Sequence, residues 1–156
     1  MTPILLVASI WLHALATVFL IGQYTLLSLI YLPVFTRRLE GSALGAVLEA
    51  VAGRARPFIF GSLGIFIVTG IYLILGDANY IGFGDFGNAW SVVLLVKHVL
   101  VFAMIGIGVY IDRGVLTRLA EASTMETATR RLRPAVNAMT VCGFIVLLLT
   151  AAAQAL

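Results

Sequence analysis

With 156 residues, 62% of them hydrophobic and 11% charged, the chain is too apolar for a water-soluble domain, in which about a quarter of residues carry charge. Its net charge of +3 does not call for nucleic acid, because the arginines gather at the ends of apolar runs and read as topology signals. The single cysteine, Cys142, excludes an intramolecular disulfide and any paired-cysteine zinc or redox site.

The apolar runs are long enough to cross a hydrocarbon layer of roughly 30 Å as helices. They lack the alternation a β-barrel strand needs, as Ile65 to Leu75 shows, so the reading is all-α. The first predicted span covers residues 4–35 and is closed by Pro33, Arg37 and Arg38. It is too long for a secretory signal and has no basic residue before Arg37, so it is expected to be retained. Thr36 to Arg56 forms a connection whose amphipathic stretch, Ala43 to Ala52, is expected to lie along the membrane surface.

The second span, 57–75, starts at Pro57 and ends before Gly76. Its glycines Gly61, Gly64 and Gly70 either offer a close-packing face to another helix or are simply the glycines common in membrane helices. The loop from Gly76 to Ala89 carries Asp77 and Asp85 but no basic residue, and Trp90 after it is expected to mark an interface. Asp77, Asn79 and Asp85 lack the spacing of a calcium loop. The third span is 90–110 and the fourth 134–156.

All nine arginines fall in the first and third connections: Arg37, Arg38, Arg54, Arg56, Arg113, Arg118, Arg130, Arg131 and Arg133. The positive-inside rule puts those two amphipathic connections in the cytoplasm and both termini outside. The expected architecture is a single-domain four-helix bundle in the cell membrane.

The two histidines, His13 and His98, both fall within spans, and an ionisable group at that depth is costly unless it faces the protein interior. Each is about 12 to 15 Å from the outer end of its span, and the two spans run in the same direction, so both rings can point into one cavity of the bundle. His13, Thr17, Leu20, Tyr24 and Ser28 share one helical face, which should look toward protein. Ser91, Leu94, Phe102, Ile105 and Val109 form an apolar wall around His98.

Two neutral imidazoles facing each other across such a wall are the axial pair of a b-type haem. The competing reading is a pair of interior histidines satisfied by hydroxyls or carbonyls. Lys97, the only lysine, either snorkels to the surface or meets a carboxylate such as a porphyrin propionate. Met104, Met139 and Cys142 are donors suited to Cu(I), but they are also ordinary packing residues. Asn137 is expected to hydrogen-bond to another helix.

Trp11-Leu12-His13, Arg56, Val68-Thr69-Gly70-Ile71-Tyr72, and Trp90 followed by Leu94-Leu95-Val96-Lys97-His98 resemble the CopD-like membrane domain. The plan is similar to that of HemJ-type protoporphyrinogen oxidases as well. That resemblance implies functional roles for His13, Arg56 and Lys97, with bound haem and porphyrinogen oxidation in one group and copper passage or tolerance in the other.

The leading expectation is a membrane haem b protein for electron transfer or oxidoreduction. His13 and His98 ligate the iron, Lys97, Tyr24 and Arg56 contribute to the cofactor site, and a quinone, porphyrin or redox protein is the partner. The alternatives are copper transport or tolerance, and a non-catalytic subunit that joins a larger complex or its own copies through the glycine face.

Overall fold

The computed structural model describes residues 2–39, 41–115 and 125–156, and the described residues form helices without strands. Helix α1 (Pro3–Leu26) passes through a π-helical segment, Leu27–Tyr31, into α2 (Leu32–Arg38). Helix α3 spans Gly41–Leu75, α4 spans Ala89–Val109 and continues into a second π segment, Tyr110–Val115, and α5 spans Met125–Gln154. Four of these stretches, Pro3–Arg38, Ser42–Leu75, Ala89–Gly114 and Thr127–Gln154, are long and apolar enough to cross a membrane. The connection that contains Arg118 lies outside the described residues.

The outward faces confirm which solvent the fold is built for. Ile4, Phe102 and Leu148 are each at least 70% exposed, a distribution that lipid tolerates and water penalises. With no water at that depth, backbone groups bond within their own helix. The first π segment solves one such problem. Pro33 has no N–H for the Leu29 carbonyl, and the helix absorbs the gap by widening, so that the Leu32 N–H reaches the Leu27 carbonyl.

The first helix packs along α3 and α5, and α4 packs along α5, whereas α3 and α4 scarcely touch among the described residues. The four helices therefore form a bundle that is open along one side. Its tightest packing lies at the arginine-rich end, where Leu32, Leu44, Leu48, Ile111, Ala128, Leu132 and Val136 are buried together.

That core corrects one expectation. The stretch from Ala43 to Ala52 does not form a separate surface helix but continues through Pro57 as the first part of α3. Its apolar face, Leu44 and Leu48, packs on the protein core and not on lipid headgroups. Trp90, at the start of α4, is only 6% exposed and packs within protein.

Polar contacts between helices are few and specific. Ser28 donates to Asn137 Oδ1 at 2.6 Å, and the Thr140 hydroxyl reaches the Tyr24 carbonyl at 3.2 Å. The expected partnership of Asn137 with another helix is thus present. The loop after α3 is held by its own side chains. Asp77 and Asp85 accept from the backbone N–H groups of Asn79 and Gly87, and Asn88 caps α4 by accepting from Ser91 N–H at 2.7 Å. Gly82 and Gly84 supply the positive φ that its turns require.

The glycines of the second span separate into two kinds. Gly61 and Gly64 have open space where a side chain would stand, while at Gly70 a Cβ would come within 3.2 Å of His13. The closest approach between α1 and α5 occurs at Gly143, where a Cβ would stand 3.0 Å from Ile21 Cγ2. Gly143→Val is therefore expected to destabilise the protein by about 1–3 kcal/mol through overpacking. Gly64→Val should change thermal unfolding in detergent far less.

Candidate functional site

His13 is fixed against α3 by three contacts. Its Nδ1 is 2.9 Å from Thr69 Oγ1, its ring stacks on Phe66 with centroids 4.4 Å apart, and Gly70 makes room for its Cε1. Phe66, Thr69 and Gly70 follow an i, i+3, i+4 spacing, so one face of α3 presents an aromatic plate, a hydroxyl and a gap.

The hydroxyl also determines the imidazole tautomer. Thr69 Oγ1 is 2.6 Å from the Ile65 carbonyl, a distance that requires the hydroxyl proton between them because a carbonyl has none to give. Thr69 can then only accept from His13, so Nδ1 carries a proton, and in the neutral ring the lone pair is on Nε2. His98 reaches the same state by another route. Its Nδ1 lies 2.7 Å from the Leu94 carbonyl one turn back on α4, and must donate to it. Both rings are thus anchored by Nδ1–H, which makes Nε2 the nitrogen that carries the lone pair of the neutral imidazole, the arrangement in which histidine usually ligates a metal.

The two rings belong to one region. Lys97 and His98, both half-buried on α4, come near enough to His13 to act on it electrostatically, Lys97 more strongly. Among the described residues the Lys97 ammonium has no ion-pair partner.

Inward from this cluster, a cavity of about 200 Å³ runs between α3 and α4 over a floor of α1 and α5. Thr17 and Phe66 line it on the histidine side, Met104 and Met139 line it farther along, and Arg56 and Asp112 stand at its other end. There Arg56 Nε and Nη2 both donate to Asp112 Oδ1, at 2.9 and 2.8 Å. This ion pair bridges the two helices that otherwise scarcely meet.

The five residues expected to share a site therefore divide into two groups. His13, Lys97 and His98 cluster at one end, while Tyr24 and Arg56 line the cavity toward the other. Tyr24 is eleven residues beyond His13 on one helix, about 16 Å along its axis, so it cannot ligate the same ion. The face His13, Thr17, Leu20, Tyr24 and Ser28 does look toward protein, with Tyr24 and Ser28 buried. The wall expected around His98 is only partly interior, since Phe102 and Val109 are exposed. Thr69, Phe66 and Asp112 were not singled out from the sequence. The i, i+3, i+4 set on α3, and an aspartate placed alone where the third span meets the arginines, were the signals for them.

Cys142 is a free, half-buried thiol that does not line the cavity. Among the described residues no three His, Cys, Asp or Glu side chains converge as a metal cluster. Two imidazoles lie in one region, and two thioethers line the adjoining cavity. Such a set fits Cu(I), which imidazole and thioether ligands select and which accepts as few as two donors.

A family model described as copper resistance protein D, CopD, matches residues 49–153, well over half of the chain. The matched stretch contains Arg56, Lys97, His98, Met104 and Met139, and begins after His13. No curated protein and no solved structure matches. The family supports the CopD side of the resemblance and its relation to copper. It gives no support to the haem b reading, to electron transfer or to a HemJ-type oxidase.

The tautomer assignment has a direct check. Nitrogen-15 NMR of histidine-labelled protein should show protonated Nδ1 and unprotonated Nε2 for both rings at neutral pH. In Thr69→Val the His13 Nδ1–H loses its acceptor, and stability should fall by about 1–3 kcal/mol.

Proposed function

Because the chain belongs to the CopD family, we propose that it handles copper within the membrane, taking the ion at the paired imidazoles of His13 and His98. The observation that carries this reading is the anchoring of both rings through Nδ1, which leaves two Nε2 lone pairs in one electrostatic neighbourhood. Ligands held in place in this way lose little freedom on coordination.

Lys97 gives the site its second property. A cation beside the imidazoles repels bound copper, and a site that passes an ion onward must hold it weakly enough to release it. Met104 and Met139, on the wall of the adjoining cavity, are the next soft donors along the bundle. By the positive-inside rule the arginine-rich end is cytoplasmic. Copper then enters from the outside, at the histidine end, and moves toward the thioethers, a direction that serves uptake or transfer to an inner acceptor.

The test is metal analysis of purified protein loaded with Cu(I) under anaerobic, reducing conditions and freed of excess ion. About one copper per chain is expected, lost for the most part in His13→Ala and in His98→Ala, each checked for retained helicity by circular dichroism. Thr69→Val should weaken affinity by about 10–100-fold, as loss of a ligand's orienting partner does. Lys97→Met should tighten binding by about tenfold by removing a like charge. Copper that is not retained, or is retained equally without both histidines, would overturn the reading, as would a haem absorption spectrum.

A further inference from the structure

Tyr24 is 9% exposed and lines the cavity between α3 and α4, yet its hydroxyl makes no hydrogen bond among the described residues. The Oη atom lies 3.2 Å from where a Cβ on Gly108 would stand, which sets it against α4, one turn inward from Asp112. The hydroxyl is open to the cavity, where it can donate to an acceptor that a ligand brings.

The rest of the cavity defines that acceptor's carrier. Its wall is almost entirely apolar. The polar residues along it are Thr17 on the histidine side and Gln23, Tyr24, Arg56, Asp112 and Arg113 toward the other end. Its lining runs along α3 from Leu48 to Phe66, about 27 Å of helix, room for an extended acyl chain.

The charge at the mouth favours an anion. Arg56 uses Nε and Nη2 on a single oxygen of Asp112, which neutralises that carboxylate and leaves Nη1 on a guanidinium that is 46% exposed. Arg54 stands nearby on α3, lining a neighbouring groove with Phe19, Tyr31 and Phe58. In the sequence the first and third connections carry all nine arginines against five acidic residues: Glu40, Glu49, Asp112, Glu121 and Glu126.

We propose that the cavity holds one acyl chain of an anionic phospholipid, whose ester carbonyl accepts from the Tyr24 hydroxyl and whose phosphate lies at Arg56. Basic pockets between membrane helices bind such headgroups. A chain in this position fills the open side of the bundle where α3 and α4 do not pack. It also covers Met104 and Met139, so an inbound copper ion and the lipid compete for one space.

Native mass spectrometry of the full chain, extracted in mild detergent and exposed to equal amounts of phosphatidylglycerol and phosphatidylcholine, tests the proposal. Phosphatidylglycerol should be retained preferentially and raise the unfolding temperature. Arg56→Gln should reduce the preference about fivefold, in line with one interfacial charge, and Tyr24→Phe should reduce retention of both lipids. Leu63→Trp fills the apolar part of the cavity without touching its polar end, and should abolish retention while circular dichroism stays unchanged. Equal retention of the two lipids, indifference to Leu63→Trp, or displacement of the lipid by a short-chain quinone at equal concentration would overturn it. None of these readouts depends on copper.

Discussion

The hydrogen bond from His13 to Thr69, with the Thr69 proton committed to the Ile65 carbonyl, is the constraint on which the functional end of the molecule depends. In lipid a ring N–H has no water to turn to and must find its acceptor within the protein; for His13 that acceptor belongs to another helix. The bond joins α1 to α3, orients the ring on Phe66, and dictates which nitrogen stays basic. Gly70 makes the approach possible by leaving room for the imidazole edge. A polar pair that first looks like a packing contact is thereby a statement about ligand chemistry.

The arginine-rich end is organised by different physics. Leu44, Leu48, Leu132 and Val136 form the tightest packing in the protein there, built partly from helix that extends beyond the predicted spans. Toward the histidines the helices separate, and between α3 and α4 a cavity replaces side-chain contact. The Arg56–Asp112 pair spans that gap at its inner end. Exposed as it is, such a pair contributes no more than about 1 kcal/mol to stability, so its importance is geometric. It holds together two helices that share little else, at the mouth of the cavity.

The helical architecture was legible from composition and run length, because a bilayer admits few alternatives. The positions of the two histidines marked a candidate site for the same reason, since an ionisable group within a span demands an explanation. What could not be read were relations that depend on how far helices extend and how they rotate. The amphipathic stretch around Leu44 and Leu48 looked like a surface helix because its apolar face had no visible partner. That partner is the start of α5, more than eighty residues away in the chain. Tyr24 was grouped with the histidines because it shares the helical face of His13, and Arg56 because the family resemblance implies a role for it, yet both line the cavity away from the histidines. Thr69 was part of a recognisable run, Val68-Thr69-Gly70, but its role depends on which ring faces it, and spacing on one helix does not reveal that. The porphyrin expectation finds no support in the family match. Two imidazoles with free Nε2 atoms suit iron or copper alike, and the family match, not the geometry, favours copper.

The central claim is that one copper ion is shared by His13 and His98. X-ray absorption at the copper edge of loaded protein examines this most directly, because imidazole rings give a multiple-scattering pattern that thioethers and carboxylates lack. The account predicts a low-coordinate Cu(I) centre with imidazole scattering from two rings, reduced to one ring in His98→Ala. A centre ligated by sulfur alone, or a spectrum identical in wild type and the double histidine variant, would contradict it.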